Sequence, residues 1–450
     1  MTNRTKEVLS YILIFLTLFI CIYNIFHYDP LDSYDGEAHY QYVDYFSRYL
    51  PYKIELPTDN DSREFFNPPL GYLVPSVAQV VCRNLFNYEN FLEDCKPFQS
   101  FALQIFQMVM YILTIFINLK TIQVLTKSNK LLNFEYLLII SLFAVNYKTI
   151  VMIRGEPYIL FFMSILLYLF IKSERKKFQV TTKDILYFGL VIGMLALSRQ
   201  WSFLLFPAFF LLFFVLPNNQ IKDYTKYILG SFLIGFLTSS WFYFSLFFRY
   251  GSFTTFNKDP IGFSLLNQPL NFYIPNLSDL YYVFYKPIRP YFGNQFLSTL
   301  YSDFWGDYWG YFSFTSRELD AGRNQMMIGD YLARVNIVSL LITFFLLFSI
   351  YKVRKYFYDS VLIKYILLSI FISFLGYLWF LISFPVDSGD TNKATYIIQM
   401  FNLIGLVAAL VLNKLKENKG KVYEFMVFYF LFAYIHNFSS YLSHFPLKTF

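Results

Sequence analysis

Just past an apolar run near the start of the chain, Asp29, Asp32, Asp35, Glu37 and His39 crowd into the stretch Asp29 to Tyr40. A carboxylate here could act as a general base, and His39 could bond a substrate hydroxyl. Asp35 and Glu37 are the two candidate bases, and the residues alone do not choose between them. The same acids could also serve the backbone. Ser33 or Asp35 could cap a helix beginning near Gly36, with Glu37 favoured by the dipole of its first turn.

Further on stands Phe65-Phe66-Asn67-Pro68-Pro69-Leu70-Gly71-Tyr72. Its two prolines stop a helix and stiffen the approach to the next apolar stretch. Asn67 is the polar group held there. Cations recur at other turns between apolar runs: Arg154-Gly155-Glu156, Arg199-Gln200-Trp201, and Lys393 with Tyr396 after Asp387 and Asp390. A single cation at such a place could reach lipid phosphates. Arg154, Arg199 and Lys393 together, each near an acid or an aromatic ring, read as an anion site. The run from Tyr301 to Tyr311 sets Asp303 and Asp307 among Trp305, Tyr308 and Trp309, which could stack a sugar ring or anchor a loop at an interface. Asp35, Glu37 and Glu156 are hard oxygen ligands that could gather around Mg²⁺ or Mn²⁺, although cationic side chains can do the same electrostatic work.

The elements that must position these groups are membrane helices. Of the 450 residues 56% are hydrophobic and 15% charged, and the apolar residues fall in blocks divided by short basic stretches. A hydrocarbon core of roughly 30 Å needs about 20 apolar residues as helix. Blocks near 9–26, 99–118, 131–147, 157–171, 184–198, 201–216, 227–248, 335–351, 365–384, 395–413 and 422–436 predict an all-α polytopic protein with about eleven spans. The first of these reads as an uncleaved anchor, because bulky Tyr23, Phe26, His27 and Tyr28 follow it. With the N-terminus cytoplasmic, 20 of the 37 lysines and arginines fall in short cytoplasmic segments, which satisfies the positive-inside rule. The net charge of +7 is therefore topology and not a nucleic-acid footprint.

This map makes residues 1–450 one transmembrane domain with two large extracytoplasmic loops, 27–98 and 249–334, that carry interfacial helices. The first holds the catalytic acids; 12 of the 30 acidic residues lie between Asp29 and Asp94. Cys82 and Cys95 share this loop, in a compartment that permits oxidation, and a bond between them would close a short loop worth about 3 kcal/mol. No cysteine and histidine spacing suits zinc.

In its order of motifs the chain resembles the GT-C superfamily of membrane glycosyltransferases, which includes lipid-linked aminoarabinose transferases and protein O-mannosyltransferases. The resemblance spans residues 9–413. It rests on the acids Asp35 or Glu37, on Asn67-Pro68-Pro69-Leu70, on Arg154-Gly155-Glu156-Pro157, and on Lys393 with Tyr396. Many members carry adjacent acids, whereas Gly36 separates Asp35 from Glu37. The resemblance implies a GT-C-like bundle that transfers a sugar from a polyprenyl-phosphate or dolichyl-phosphate donor to a lipid, glycan or protein hydroxyl. The reaction would invert the anomeric carbon, at the outer face of a plasma or inner membrane, or of the endoplasmic reticulum in a eukaryote. His39, Asn67, Arg154, Glu156, Arg199, Asp307, Lys393 and Tyr396 would then contact substrate. The rival readings are a lipid-linked-sugar flippase or transporter and a polysaccharide polymerase or ligase. Span centres free of charge argue against ion-coupled transport.

Overall fold

The computed structural model describes residues 2–86, 91–128, 130, 132–256, 259–313, 323–387 and 389–448. Residues 87–90, 257–258 and 314–322, which fall inside the two loops read from the sequence, lie outside the described set, as does Ser388 beside Asp387. Among the described residues all regular structure is helical.

Seven helices among them are long and apolar enough to cross a bilayer: Asn3–His27, Lys96–Thr126, Glu156–Arg175, Asn218–Tyr250, Met327–Tyr356, Val361–Ser383 and Ala394–Asn418. An eighth crossing is counted if Phe134–Ile140 and Ala144–Val151, bent by 67° at their junction, form one span. The chain is thus a multi-pass integral membrane protein. The remaining three of the eleven expected spans are helical but shorter. Thr182–Ser198 and Gly420–His436 have 17 residues each, about 26 Å of helix against a core of roughly 30 Å. The stretch Gln200–Phe214 passes through a 3-10 turn, a five-residue α-helix opened by Pro207, and a second 3-10 turn. An apolar window measures composition, and it does not register where a helix breaks.

The chain divides into two compact units. One comprises Met1–His27, Thr126–Lys148 and Pro260–Leu447. The helix Ala394–Asn418 is almost wholly buried there, and Asn402 exchanges amide hydrogen bonds with Asn146, at 2.9 and 3.3 Å. Such reciprocal pairing satisfies polar side chains that would be costly alone in an apolar interior. Lys6, Glu135 and Tyr423 form a second buried polar contact, with Glu135 accepting from Lys6 Nζ at 2.6 Å and from Tyr423 Oη at 2.8 Å.

The other unit comprises Tyr28–Leu125, Thr149–Asp259 and Lys448–Phe450. Its helices Thr182–Ser198 and Asn218–Tyr250 pack at close range because glycines face the contact. A Cβ at Gly189 or Gly193 would fall 2.6 Å from Ile234 or Thr238. Small residues permit this approach, which gains dispersion contacts where no hydrophobic drive exists between helices in lipid. The segment after the first helix folds into two paired helices, Gly36–Tyr49 and Leu70–Phe86. Tyr42 stacks on Tyr72 between them at 3.9 Å. A disulfide joins Cys82 to Cys95, tying the end of Leu70–Phe86 to the start of Lys96–Thr126.

Candidate functional site

The acidic segment is shaped by a tight turn. Asp29 accepts from the Leu31 amide at 3.0 Å and caps the 3-10 turn Pro30–Asp32. The chain then enters Gly36–Tyr49 through Asp35, whose φ of 56° is left-handed. Aspartate tolerates that region better than most residues. A Cβ at Gly36 would lie 2.3 Å from the Leu31 carbonyl oxygen, so only glycine fits there. Asp35 occupies the N-cap position without using its side chain as a cap. Its carboxylate instead pairs with Arg63. Glu37 points outward in the first helical turn and is exposed.

Behind this turn lies a buried polar cluster. Glu64, 4% exposed, accepts from the Asn67 amide and stands 3.9 Å from Arg199 Nη2 and 4.0 Å from His39 Nδ1. His39 Nδ1 is 2.7 Å from the Tyr72 hydroxyl, which also accepts from Asn67 at 3.2 Å. Arg154, 1% exposed, donates to the Tyr34 carbonyl at 2.9 Å and lies 5.0 Å from the Tyr34 ring centre. Glu156 sits between the two guanidiniums, with Oε1 3.9 Å from Arg154 Nη1 and 3.5 Å from Arg199 Nε. Neither Glu156 carboxylate oxygen accepts a hydrogen bond from a described residue.

Three chain segments bring these groups together, and their backbones nearly touch. A Cβ at Gly155 would fall 2.0 Å from the Ser198 carbonyl oxygen, and one at Gly71 would fall 3.2 Å from Gly155 Cα. The turn before Glu156–Arg175, the break after Thr182–Ser198 and the start of Leu70–Phe86 therefore meet at glycine contacts. Gln200 Nε2 adds a hydrogen bond to the Phe66 carbonyl at 3.0 Å.

Electrostatically the cluster is poised. Burial pushes the Glu64 carboxyl up from its ordinary value, Arg199 opposes the shift, Asp35 adds to it, and Arg154 and the Asn67 bond oppose it again. With Glu64 and Glu156 both ionised, they balance Arg154 and Arg199. Once Glu64 is protonated the group carries net positive charge, which suits an anion.

Asp35, Glu37, His39, Asn67, Arg154, Glu156 and Arg199 thus belong to one unit, and all but Glu37 lie in or beside the cluster. Glu37 is exposed and Glu156 buried, and among the described residues no three carboxylate, histidine or cysteine side chains converge to hold a metal. Asp35, Glu37 and Glu156 therefore form no ready cation cage.

Asp307, Lys393 and Tyr396 belong to the other unit. Asp307 accepts from the amides of Phe312 and Ser313, each at 2.8 Å, and of Tyr311 at 3.3 Å. Burial raises its pKa, against the pull of Lys148. Lys393 is buried 5.6 Å from the Tyr396 ring centre. Nearby aromatic rings are packed inward: Trp305, Tyr308 and Trp309 are buried, and the indoles of the two tryptophans donate to Thr343 Oγ1 at 2.9 Å and to the Asn392 carbonyl at 3.0 Å. They have no open face for a sugar, since filling the interior satisfies both their apolar area and their N–H groups.

Sequence reasoning missed Glu64 and the fully buried pair of Lys148 with Asp303. Lys148 Nζ donates to the Asp303 carboxylate at 2.5 Å and to its carbonyl at 2.6 Å, and Asp303 also accepts from the Ala394 amide at 2.7 Å. A faint signal for Glu64 was its place three residues before Asn67-Pro68-Pro69.

No family model and no curated protein matches this chain. Two solved structures are similar to it in fold. The crystal structure of ArnT from Cupriavidus metallidurans bound to undecaprenyl phosphate is 11% identical, with a TM-score of 0.48 over 94% of this chain and 62% of that one. The S. cerevisiae protein O-mannosyltransferase Pmt1-Pmt2 complex bound to the sugar donor is 14% identical, with a TM-score of 0.37 over 57% of this chain and 35% of that one. The chain spans about six-tenths of the length of the first and about a third of the second.

Proposed function

We propose that this membrane protein transfers a sugar from a polyprenyl-phosphate donor to an acceptor hydroxyl at the extracytoplasmic face, inverting the anomeric carbon. The observation that carries the reading is the burial of Arg154 and Arg199 together at helix ends, around two carboxylates of which burial favours the protonated form of Glu64. Buried guanidiniums are suited to phosphate, whose oxygens match their planar donors.

A phosphate leaving group is already a stable anion, so the reaction needs a base for the acceptor more than an acid for the leaving group. Asp35 is the better base of the two acids. It stands beside the cluster, half-buried, in a turn that fixes its backbone, whereas Glu37 faces outward. Arg63 holds the Asp35 carboxylate in place until an acceptor hydroxyl arrives. As the anomeric carbon–oxygen bond breaks, Arg154 and Arg199 take up the charge growing on phosphate, a preorganised stabilisation that water would supply less well. The acceptor oxygen attacks from the opposite side, and its proton passes to Asp35. Glu64, His39 and Asn67 orient Arg199 and the wall of the site. The candidacy of Lys393 and Tyr396 as substrate contacts rests on the sequence resemblance, and that of Asp307 on its place in the aromatic run; none of the three enters the steps above.

The test is transfer by the purified protein in lipid vesicles, offered a panel of radiolabelled polyprenyl-phosphate sugars and lipid, glycan and peptide acceptors. One donor should be consumed, and the anomeric configuration of the product should be the reverse of the donor's. Undiminished transfer by a folded Asp35→Asn, Glu37→Gln double variant would overturn the assignment of the base. Failure of every polyprenyl-phosphate donor to bind or react would overturn the substrate class.

A further inference from the structure

We infer that residues 261–278 form a membrane-inserting loop, seated in the leaflet at the C-terminal end of the Val361–Ser383 span. This inference is independent of the transferase reading. The stretch holds no charge from Pro260 to Ser278, and its large side chains face out: Leu266 is 93% exposed, Leu277 87% and Leu270 75%, with Ile261, Phe263, Leu265 and Ile274 also exposed. A loop bathed in water would turn these groups inward and its amides outward.

Here the polarity is reversed. Asn267 Nδ2 donates to the Gly262 carbonyl at 2.7 Å and to the Ile382 carbonyl at 3.0 Å. Gln268 Nε2 donates to the Leu381 carbonyl at 2.8 Å, and the Ile261 amide donates to the Ser383 carbonyl at 3.1 Å. These bonds satisfy the last carbonyls of a spanning helix, which have no partner within the helix. They also fix the loop at the rim of the apolar slab, because Leu381–Ser383 ends the span. Backbone at that depth must be satisfied by protein, as it is here, and apolar side chains around it then face acyl chains.

The residues beyond Leu277 fit an interfacial order. Tyr281, in the helix Leu277–Val283, and Tyr285, just past its end, are both exposed and stack at 5.0 Å. Tyrosine prefers the headgroup layer just beyond the acyl region. The occupant we assign to the exposed face is thus bilayer lipid, continuous with the lipid around the span to which the loop is bonded.

The experiment places single cysteines at Leu266, at Leu277 and, as a control in the loop after the same span, at Asp387, in the full chain reconstituted in phosphatidylcholine and phosphatidylglycerol vesicles. Each is labelled with an environment-sensitive fluorophore. Native Cys21 is buried and the other two cysteines are bonded to each other. The Leu266→Cys and Leu277→Cys probes should emit at shorter wavelength and be quenched by lipids brominated on the acyl chain, and resist aqueous iodide. The Asp387→Cys probe should behave in the opposite way. Iodide quenching at Leu266 and Leu277 equal to that at Asp387 would overturn the inference, and so would resistance to both quenchers, which would mean protein cover. Matching melting curves for the three labelled variants ensure that the comparison is between folded proteins.

Discussion

Arg199 Nε stands 3.5 Å from Glu156 Oε1, and both side chains are buried. The same guanidinium reaches toward Glu64, 3.9 Å from its Nη2, so one cation serves two carboxylates from different parts of the chain. Removing one member of a buried ion pair leaves its partner charged in a poor solvent, a loss of roughly 3 to 5 kcal/mol. Arg199→Gln should therefore lower the melting temperature of the purified protein by several degrees. Arg199→Lys should keep much of the stability and still lose transfer, because a point charge cannot span two acids and a phosphate as a planar fork does. A Gln variant that melts with the parent would show that this pairing does not support the fold.

Asp35 and Glu37 are separated by one residue and by environment. If Asp35 takes the acceptor proton, Asp35→Asn should reduce the transfer rate by about 10² to 10⁴, the usual worth of a positioned base. Glu37→Gln should leave it within a small factor. The Asp35 pair with Arg63 is largely exposed, and exposed pairs contribute little to stability, so Asp35→Asn should melt close to the parent. Equal rate losses in the two variants would remove the distinction drawn from their exposure.

Glu64 links pH to both stability and charge. Its pKa is raised in the folded protein, chiefly by burial, above an ordinary value of 4.5. The folded state then binds the proton more tightly than the unfolded state does. The stability this contributes is fully present below the unfolded value and is lost as pH rises through the folded one. Glu64→Gln mimics the protonated form, so the parent should fall in melting temperature relative to the variant as pH rises above the ordinary value of 4.5. A parent that gains on the variant over this range would mean that Arg199 and Arg154 outweigh burial.

Much of this arrangement was legible in the residues, and the rest was hidden for definable reasons. Long apolar blocks located the helices, because a membrane leaves few other ways to satisfy a backbone. The same blocks could not distinguish a span from the broken stretch Gln200–Phe214, where Pro207 and two 3-10 turns interrupt an equally apolar composition. Arg154 and Arg199 stood out because each lies in a short turn beside an acid or an aromatic ring. Glu64 did not, being one acid among many in an acidic loop; only the folding of Asn67, His39 and Arg199 around it sets it apart. Trp305 and Trp309 misled for the opposite reason. Aromatic residues near acids suggest a sugar platform, yet the same ring area packs an interior equally well.

Gly155 tests whether the backbone contacts beneath the site matter. It lies between Arg154 and Glu156, and an added Cβ would meet the Ser198 carbonyl oxygen at 2.0 Å and the Arg199 Cβ at 3.2 Å. Neither neighbour is the free end of a flexible chain, so the two turns would have to part. Gly155→Ala should cost about 1 to 3 kcal/mol, the usual range for overpacking. It should also shift Arg154 and Glu156 away from Arg199 and abolish transfer beyond what its stability loss explains. Gly189→Ala supplies the comparison, since it crowds Ile234 in a helix contact about 15 Å along the helix from Arg199. It should destabilise similarly and leave the transfer rate per folded molecule near that of the parent. If Gly155→Ala retains full rate at a temperature where it is folded, the close approach of these turns does not organise the site, and Arg154 and Arg199 need not act together.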